Sequence, residues 1–178
     1  VISFPKSGGI ENMQSTPKSN RLQIGIFGRR NVGKSSLMNA LTSQYVSIVS
    51  DVAGTTTDPV EKPMELPPLG PVLFIDTAGV DDEGSLGGQR IARTRKILER
   101  VDLGIIVAEG KNWNKYEDDL LKELQNRHIP TVVAFNKSDL SQPSENLQAY
   151  LKQQNIPFIN TIATDGFGVL DLHKILID

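Results

Sequence analysis

Gly28-Arg29-Arg30-Asn31-Val32-Gly33-Lys34-Ser35 is the stretch that decides the fold. It follows the apolar run Leu22 to Phe27 and leads into the helix-like stretch Ser36 to Leu41, so its setting is strand, loop, helix. A loop with glycines at its ends lets successive backbone N–H groups turn inward on phosphate oxygens. The helix that follows points the positive end of its dipole at the same charge. Lys34 is then placed to reach β- and γ-phosphates, and Ser35 offers a hydroxyl to Mg²⁺. A chance glycine loop is the alternative reading, and the strand and helix flanking it speak against that.

Outward from this loop, short β-branched runs alternate with charged helical stretches. Leu22–Phe27, Val60–Leu66, Val72–Ile75, Leu103–Val107, Thr131–Phe135 and Phe158–Ile162 read as strands. Most are almost wholly apolar, as strands covered on both faces must be. Helices are expected over Lys34–Leu41, Leu86–Arg100, Glu117–Arg127, Glu145–Gln154 and Val169–Ile177. Pro67-Pro68-Leu69-Gly70-Pro71 separates the second and third strands so briefly that only an antiparallel hairpin fits, since parallel neighbours need a long crossover. The expectation is an α/β phosphate-loop fold: a six-stranded mixed sheet with one antiparallel strand and helices on both faces. No internal repeat is present.

A chain of 178 residues that is 38% hydrophobic suits one α/β domain with a real core. A net charge of −2 gives no basis for nonspecific nucleic-acid binding, which needs a basic surface. Cysteine is absent, which removes disulfides, thiolate metal ligands and a cysteine-held Fe–S cluster from this chain. His128 and His173 are far apart and read as ordinary surface or loop residues. No apolar run approaches the ~20 residues needed to span a bilayer. With no secretion-signal core at the N-terminus, the expectation is a soluble, cytoplasmic or otherwise intracellular protein without a membrane partner. Residues 1–20 are rich in Ser, Pro, Gly, Asn and Lys and read as a flexible lead-in to a domain over 21–178. The chain begins with Val, so it reads as a processed or excised piece of something longer.

Three further motifs carry chemistry. Asp76-Thr77-Ala78-Gly79 closes the third strand, where a doubly wound sheet presents its ligand groups. Asp76 is suited to hold Mg²⁺ through a water, and the Gly79 N–H to meet a γ-phosphate; an ordinary turn is the competing reading. Between the first helix and second strand, Asp51-Val52-Ala53-Gly54-Thr55-Thr56-Thr57-Asp58 offers a hydroxyl cluster to the metal. Thr56 is the choice, with Thr55 and Thr57 open on spacing. Asn136-Lys137-Ser138-Asp139 selects the base. The Asp139 carboxylate can accept from guanine N1–H and its 2-amino group, whereas adenine would leave that acceptor unpaired. The Lys137 stem can lie over the base, and Asn136 can tie this loop to the phosphate cradle. Alone, that tetrapeptide would be a polar loop with a helix cap; together with the other motifs in this order it points to GTP over ATP.

The order G-x-x-x-x-G-K-S, Thr-Thr-Thr, D-x-x-G, N-K-x-D resembles the translation-factor-like class of small GTPases over nearly all of Arg21 to Asp178. The resemblance implies a P-loop NTPase G domain. It assigns nucleotide contacts to Gly28, Arg29, Arg30, Asn31, Val32, Gly33, Lys34, Ser35, Ser36, Asn136, Lys137, Asp139 and Ala163. Ser35, Thr56 and Asp76 are its Mg²⁺ ligands. Gly28 to Leu41 followed by Ala53-Gly54-Thr55-Thr56 is similar to the group holding the tRNA-modification and ribosome-assembly GTPases, the TrmE-Era-EngA-like class. Gly54 to Val60, Met64-Glu65-Leu66, Gly70-Pro71-Val72 and Asp76 to Gly84 resemble, more narrowly, the HydF family of [FeFe]-hydrogenase maturation GTPases. The tRNA-modification group typically has Arg where Thr57 stands, and this position favours hydrogenase maturation. In that family the G domain is attached to a dimerisation domain and a cluster domain. The parent protein would therefore dimerise through domains outside this chain and meet maturation or apo-hydrogenase partners. In the base loop, Ile162-Ala163 replaces the usual Ser-Ala. The Ala163 N–H remains for the guanine oxygen, and the Ser hydroxyl that tightens the loop is lost.

For hydrolysis, the expected catalytic set is Lys34, Asn31, Thr56 and Gly79. Val80 stands where glutamine often orients water, and an apolar side chain cannot do so, which predicts slow hydrolysis. Asn31 matches the asparagine that coordinates K⁺ in related cation-dependent GTPases; the competing reading is that it only supports the turn. Asp81, Asp82 and Glu83 could position water or be solvated surface. Arg90, Arg93, Arg95, Lys96 and Arg100 make the next helix basic, either a solvated face or a docking face. Trp113, the lone tryptophan, is expected to be partly buried. Three functional classes remain: a GTP-hydrolysing enzyme, a switch carrying a slow GTPase, and an ATP-dependent phosphotransferase on the same loop. The switch is favoured, because Val80 removes a catalytic device while Thr56, Asp76 and Gly79 keep the γ-phosphate sensor.

Overall fold

The computed structural model describes residues 21–45, 60–77 and 94–177. In chain order these form β1 (Leu22–Phe27), α1 (Lys34–Tyr45), β2 (Val60–Leu66) and β3 (Gly70–Asp76). They continue through α2, described over 94–98, then β4 (Leu103–Ala108) and α3 (Lys115–Asn126). The chain closes with β5 (Thr131–Phe135), α4 (Glu145–Gln153), β6 (Phe158–Asn160) and α5 (Val169–Ile177). The strands lie in the order β2-β3-β1-β4-β5-β6. β2 pairs antiparallel with β3, from Val60 opposite Asp76 to Leu66 opposite Gly70, and the other pairings are parallel. The mixed six-stranded sheet read from the sequence is the sheet observed.

The apolar runs of the parallel strands bury both faces, because alternate residues feed two separate cores. Ile24, Ile26, Val72, Phe74, Ile105, Val107, Val132 and Ala134 pack beneath Leu37, Met38 and Leu41 of α1 and Val169, Leu172 and Leu176 of α5. Phe27, Leu73, Ile75, Ile106, Ala108, Val133 and Phe135 face the other way, onto Ile97, Leu98, Leu120, Leu121, Leu124 and Leu151. Each Val, Leu, Ile, Phe or Met among them, once buried, contributes about 1.5–3 kcal/mol of transfer free energy. The two layers of helices hold the strand ends of β1, β3, β4 and β5 in fixed register, and the site is built on those ends.

The boundaries depart from the sequence reading in places with local causes. α1 runs to Tyr45, beyond the expected Leu41. Nothing in Thr42-Ser43-Gln44-Tyr45 breaks a helix, and the Thr42 hydroxyl donates back to the Met38 carbonyl at 2.5 Å. β6 stops at Asn160 instead of Ile162, because Ile162 turns out of the sheet and pairs with Phe167, its N–H donating to that carbonyl at 3.0 Å. α3 starts two residues early at Lys115, with Asn114 and Glu117 forming a capping box. His173 is the clear correction: it is 6% exposed on the inner side of α5, not a surface residue. Burial holds its imidazole below the ordinary value, with a hydrogen bond at the Pro67 backbone working the other way. The helix expected over Leu86–Arg100 ends at residue 98, with Glu99 and Arg100 in a turn; expectations for residues 1–20, for 86–93 of that helix and so for Arg90 and Arg93 lie outside the described residues.

Candidate functional site

β1 ends where its two neighbours diverge, β3 on one side and β4 on the other, and the chain leaves it through the glycine-bounded loop. This is the switch point at which open α/β sheets accept ligands. Gly28 has φ 145°, Asn31 φ 64° and Gly33 φ 96°. At Gly28 a Cβ would stand under 3.0 Å from the Val107 carbonyl oxygen, and at Gly33 under 3.0 Å from the Asn136 amide. The glycines are therefore needed for space as well as for backbone angle. α1 begins at Lys34 with no acidic residue in its first turn, which leaves its N-terminal dipole unneutralised.

Lys34 is 4% exposed, and its ammonium donates to the Gly28 carbonyl and, at 2.8 Å, to the Arg29 carbonyl. Val32 is buried, whereas Arg30, Asn31, Ser35 and Ser36 are exposed around the loop. The Ser35 hydroxyl donates to Asp76 Oδ2 at 2.8 Å, bringing α1 and the end of β3 together. A hydroxyl and a buried carboxylate side by side form a hard-oxygen donor set that suits Mg²⁺. Thr77 anchors this strand end, its N–H and hydroxyl both donating to the Ile26 carbonyl, at 3.2 and 2.8 Å.

The second half of the site is the loop after β5. Asn136, 3% exposed, donates its amide to the Val32 carbonyl at 2.9 Å. Its Oδ1 accepts from the Ala163 N–H at 3.0 Å and the Thr161 hydroxyl at 3.3 Å. One side chain thus joins the phosphate loop, the N-K-x-D loop and the loop before α5. Lys137, with φ 55°, sends its ammonium to the Asn31 carbonyl and to Glu109 Oε1, each at 2.6 Å. That hydrogen bond from Lys137 holds the Glu109 carboxyl below the usual range. Asp139 is exposed at the mouth of the loop. Ile162 does supply no hydroxyl, but the loop is tightened by other means: Asn136 grips Thr161 and Ala163, and Ile162 bridges to Phe167. The Ala163 N–H assigned to the guanine oxygen is the one held by Asn136.

Several partners were missed by the sequence reading. The Arg29 side chain turns away from the loop mouth to α3, where Nε donates to Glu117 Oε1 at 2.7 Å and Nη2 to Oε2 at 3.2 Å. Glu109 braces Lys137 from the end of β4. The spacing Asn114-Lys115-Tyr116-Glu117 is a capping-box signal that would have placed the start of α3. Nothing in the sequence pairs Arg29 with residue 117. Trp113 is part-buried, with its indole N–H on Asp118 Oδ1 at 2.7 Å and its ring 6.0 Å from that of Phe135. Arg95, Lys96 and Arg100 are exposed, and Arg100 pairs with Glu61 at 2.8 Å. Thr55, Thr56, Thr57, Ala78, Gly79, Val80, Asp81, Asp82 and Glu83 lie outside the described residues. Among the described residues, no helix is long and apolar enough to cross a membrane.

Comparison with known proteins agrees with this geometry. A family model described as 50S ribosome-binding GTPase matches residues 23–137. The tRNA modification GTPase MnmE of Prochlorococcus marinus is 39% identical over 161 residues, which cover 88% of this chain and 34% of that protein. GTPase Der of Wolinella succinogenes is 45% identical over 135 residues, 74% of this chain and 28% of that one. The chain thus spans about a third of the length of the curated relatives it matches. Among solved structures, Era of Aquifex aeolicus bound to GDP and AlF4⁻ superposes with TM-score 0.66 at 25% identity, covering 87% of this chain and 55% of that one. The G domain of the T. maritima FeoB iron transporter superposes with TM-score 0.66 at 24% identity, covering 89% and 98%, and shares the fold.

Proposed function

We propose, for a chain that belongs to the 50S ribosome-binding GTPase family, a G domain of the TrmE-Era-EngA-like class that works as a guanine-nucleotide switch with slow GTP hydrolysis. The observation that carries this reading is Asn136. Its buried amide ties the phosphate loop at Val32 to the base loop at Ala163, so the two ends of one nucleotide site are a single hydrogen-bonded unit. Asp139 stands exposed beside that unit as the base-reading carboxylate. Titration with GTP and xanthosine triphosphate tests it. Asp139→Asn should weaken GTP and improve xanthosine triphosphate, and retained guanine selectivity would refute the assignment.

Ser35 and Asp76, with Thr56 from the threonine-rich loop, would hold Mg²⁺, which supplies positive charge against the β- and γ-phosphates. Asn31, exposed and left-handed at φ 64°, would present its amide oxygen to K⁺. Lys34 would exchange loop carbonyls for phosphate oxygens, and Gly79 would meet the γ-phosphate. Val80 leaves water orientation unassisted from that position.

For the pathway served, the tRNA modification GTPase MnmE as a relative and the 50S ribosome-binding GTPase family model support a tRNA-modification or ribosome-assembly role over hydrogenase maturation. RNA contacts would then come from outside this stretch, whose net charge is −2. One observation favours the second reading, a HydF-type G domain: Thr57 stands in Gly54-Thr55-Thr56-Thr57-Asp58-Pro59 where arginine is typical of the tRNA-modification group. The parent protein separates the two. Cysteine and histidine cluster ligands with retained iron support hydrogenase maturation, and nucleotide-dependent association with tRNA or ribosomal particles supports the first role.

A further inference from the structure

We infer that Glu117, at the N-terminus of α3, is a positioning residue for the phosphate loop and acts on it through Arg29; the inference rests on the nucleotide-binding reading above. Glu117 is 1% exposed, and a carboxylate taken out of water persists only when its oxygens are matched by donors. Both are matched. Oε1 accepts from Arg29 Nε at 2.7 Å, and Oε2 accepts from Arg29 Nη2 at 3.2 Å and from the Asn114 N–H at 3.0 Å.

The grip on Arg29 goes further. Its Nη2 also donates to Asn114 Oδ1, and its guanidinium carbon lies 5.1 Å from the centroid of the Tyr116 ring. Three residues of one helix start therefore hold one side chain of the phosphate loop. A guanidinium is planar with donors in fixed directions, so a two-point bond to a buried carboxylate fixes its stem more closely than a single ion pair would. The Arg29 main chain then matters, because it is part of the loop that would cradle phosphate, and its carbonyl receives the Lys34 ammonium at 2.8 Å in the ligand-free chain. The connection runs from the α3 carboxylate to the guanidinium and to the backbone of residue 29, which sets the path of the loop whose N–H groups would face phosphate.

The competing explanation is that Glu117 only caps α3. Capping uses the bond to the Asn114 N–H, and glutamine serves that position as well as glutamate. The two roles therefore separate in Glu117→Gln, which keeps the cap and removes the charge that holds Arg29. GDP and GTP affinities are measured on the full chain by fluorescent-nucleotide titration, with Trp113 emission and thermal melts checking that α3 is intact. Glu117→Gln is expected to melt close to wild type and to bind both nucleotides about tenfold more weakly, the scale of one charge-assisted hydrogen bond. The single-turnover rate at saturating GTP should stay within about twofold, since a positioning effect common to both nucleotides falls on binding. In an Arg29→Met background, Glu117→Gln should cause no further loss, because the path through Arg29 is already cut. Wild-type affinity in Glu117→Gln, or equal losses with and without Arg29, overturns the inference while leaving the nucleotide site standing. A wild-type chain that binds neither nucleotide overturns both.

Discussion

Replacing Asn136 with alanine removes a side chain that three loops share, and its cost can be worked from the bonds it makes. The amide donates to the Val32 carbonyl at 2.9 Å and accepts from the Ala163 N–H at 3.0 Å, with a longer bond of 3.3 Å from the Thr161 hydroxyl. Thr161 is fully buried and Asn136 is 3% exposed, so the released groups are poorly placed to find water. Leaving a buried polar group unpaired costs about 1–3 kcal/mol. Two good bonds taken at the low end, with a smaller contribution from the third, give a loss of about 2–3 kcal/mol. Urea unfolding of the nucleotide-free chain, followed by Trp113 fluorescence, reads this as a lower midpoint at unchanged slope.

The same variant tests the coupling. At a ligand concentration of 100 Kd, binding adds about 2.7 kcal/mol to stability. If Asn136 joins the base loop to the phosphate loop, the variant should gain much less than wild type from the same GDP concentration. A loss below about 1 kcal/mol, against the bond energies above, would refute the accounting. A full-sized loss with an undiminished GDP gain would refute the coupling.

Gly33→Ala should lose nucleotide binding and cost about 1–3 kcal/mol of stability, because it meets both a φ of 96° and a collision with the Asn136 amide. Gly70→Ala is its control: φ is 82° but the nearest atom, Glu65 Oε1, is 4.0 Å away, so titration should find binding intact. For His173, a folded pKa below the ordinary 6.5 means that the unfolded chain binds more protons below that pH. Its contribution is intact above 6.5 and is lost as pH falls toward the folded value. Denaturation midpoints of His173→Gln should fall less between neutral pH and mildly acidic pH than those of wild type, and parallel curves would contradict the assignment. Hydrolysis in K⁺ and Na⁺ at matched ionic strength tests Asn31: K⁺ should be faster, and equal rates would remove the cation role.

The sheet was legible because its strands follow one rule: strands buried on both faces are apolar nearly throughout, and Leu103–Ala108 and, after the opening Thr131, Val132 to Phe135 show it. The hairpin was legible from chain length alone, since Pro67 to Pro71 is too short for a crossover. His173 was misjudged by residue type: Val169, Leu172, His173 and Leu176 stand at i, i+3, i+4 and i+7, so the helical period puts the imidazole on the inward face that its polarity argued against. In the site, the motifs located the groups that would touch a nucleotide but not those that hold them. Glu109 and Glu117 follow β4 in a segment with no glycine-rich signature, and their partners Lys137 and Arg29 are 28 and 88 residues away in sequence. Contacts over such distances follow from strand order, and no local pattern encodes them.

The two ends of the site differ in what a ligand would have to displace. At the phosphate end, the Lys34 ammonium is 4% exposed and bonded to the Gly28 and Arg29 carbonyls, which keep a charge tolerable away from water. A phosphate oxygen entering there replaces neutral acceptors with a charged one. The carbonyl bonds are already charge-assisted by the ammonium, so the exchange trades one charge-assisted bond for another. The net gain at Lys34 is the difference between them, well below the full strength of an ion pair. At the base end the groups displaced are different. The Ala163 N–H that the proposed site would turn on the guanine oxygen is bonded to Asn136 Oδ1 at 3.0 Å, and the exposed Asp139 carboxylate would trade water for base donors. Under the proposed base reading, discrimination comes from what adenine fails to restore: it brings no N1–H and no 2-amino group, so a desolvated carboxylate would be left without donors. Affinity at either end is then a difference between exchanged bonds, whereas base selectivity carries the cost of a bond left unmade.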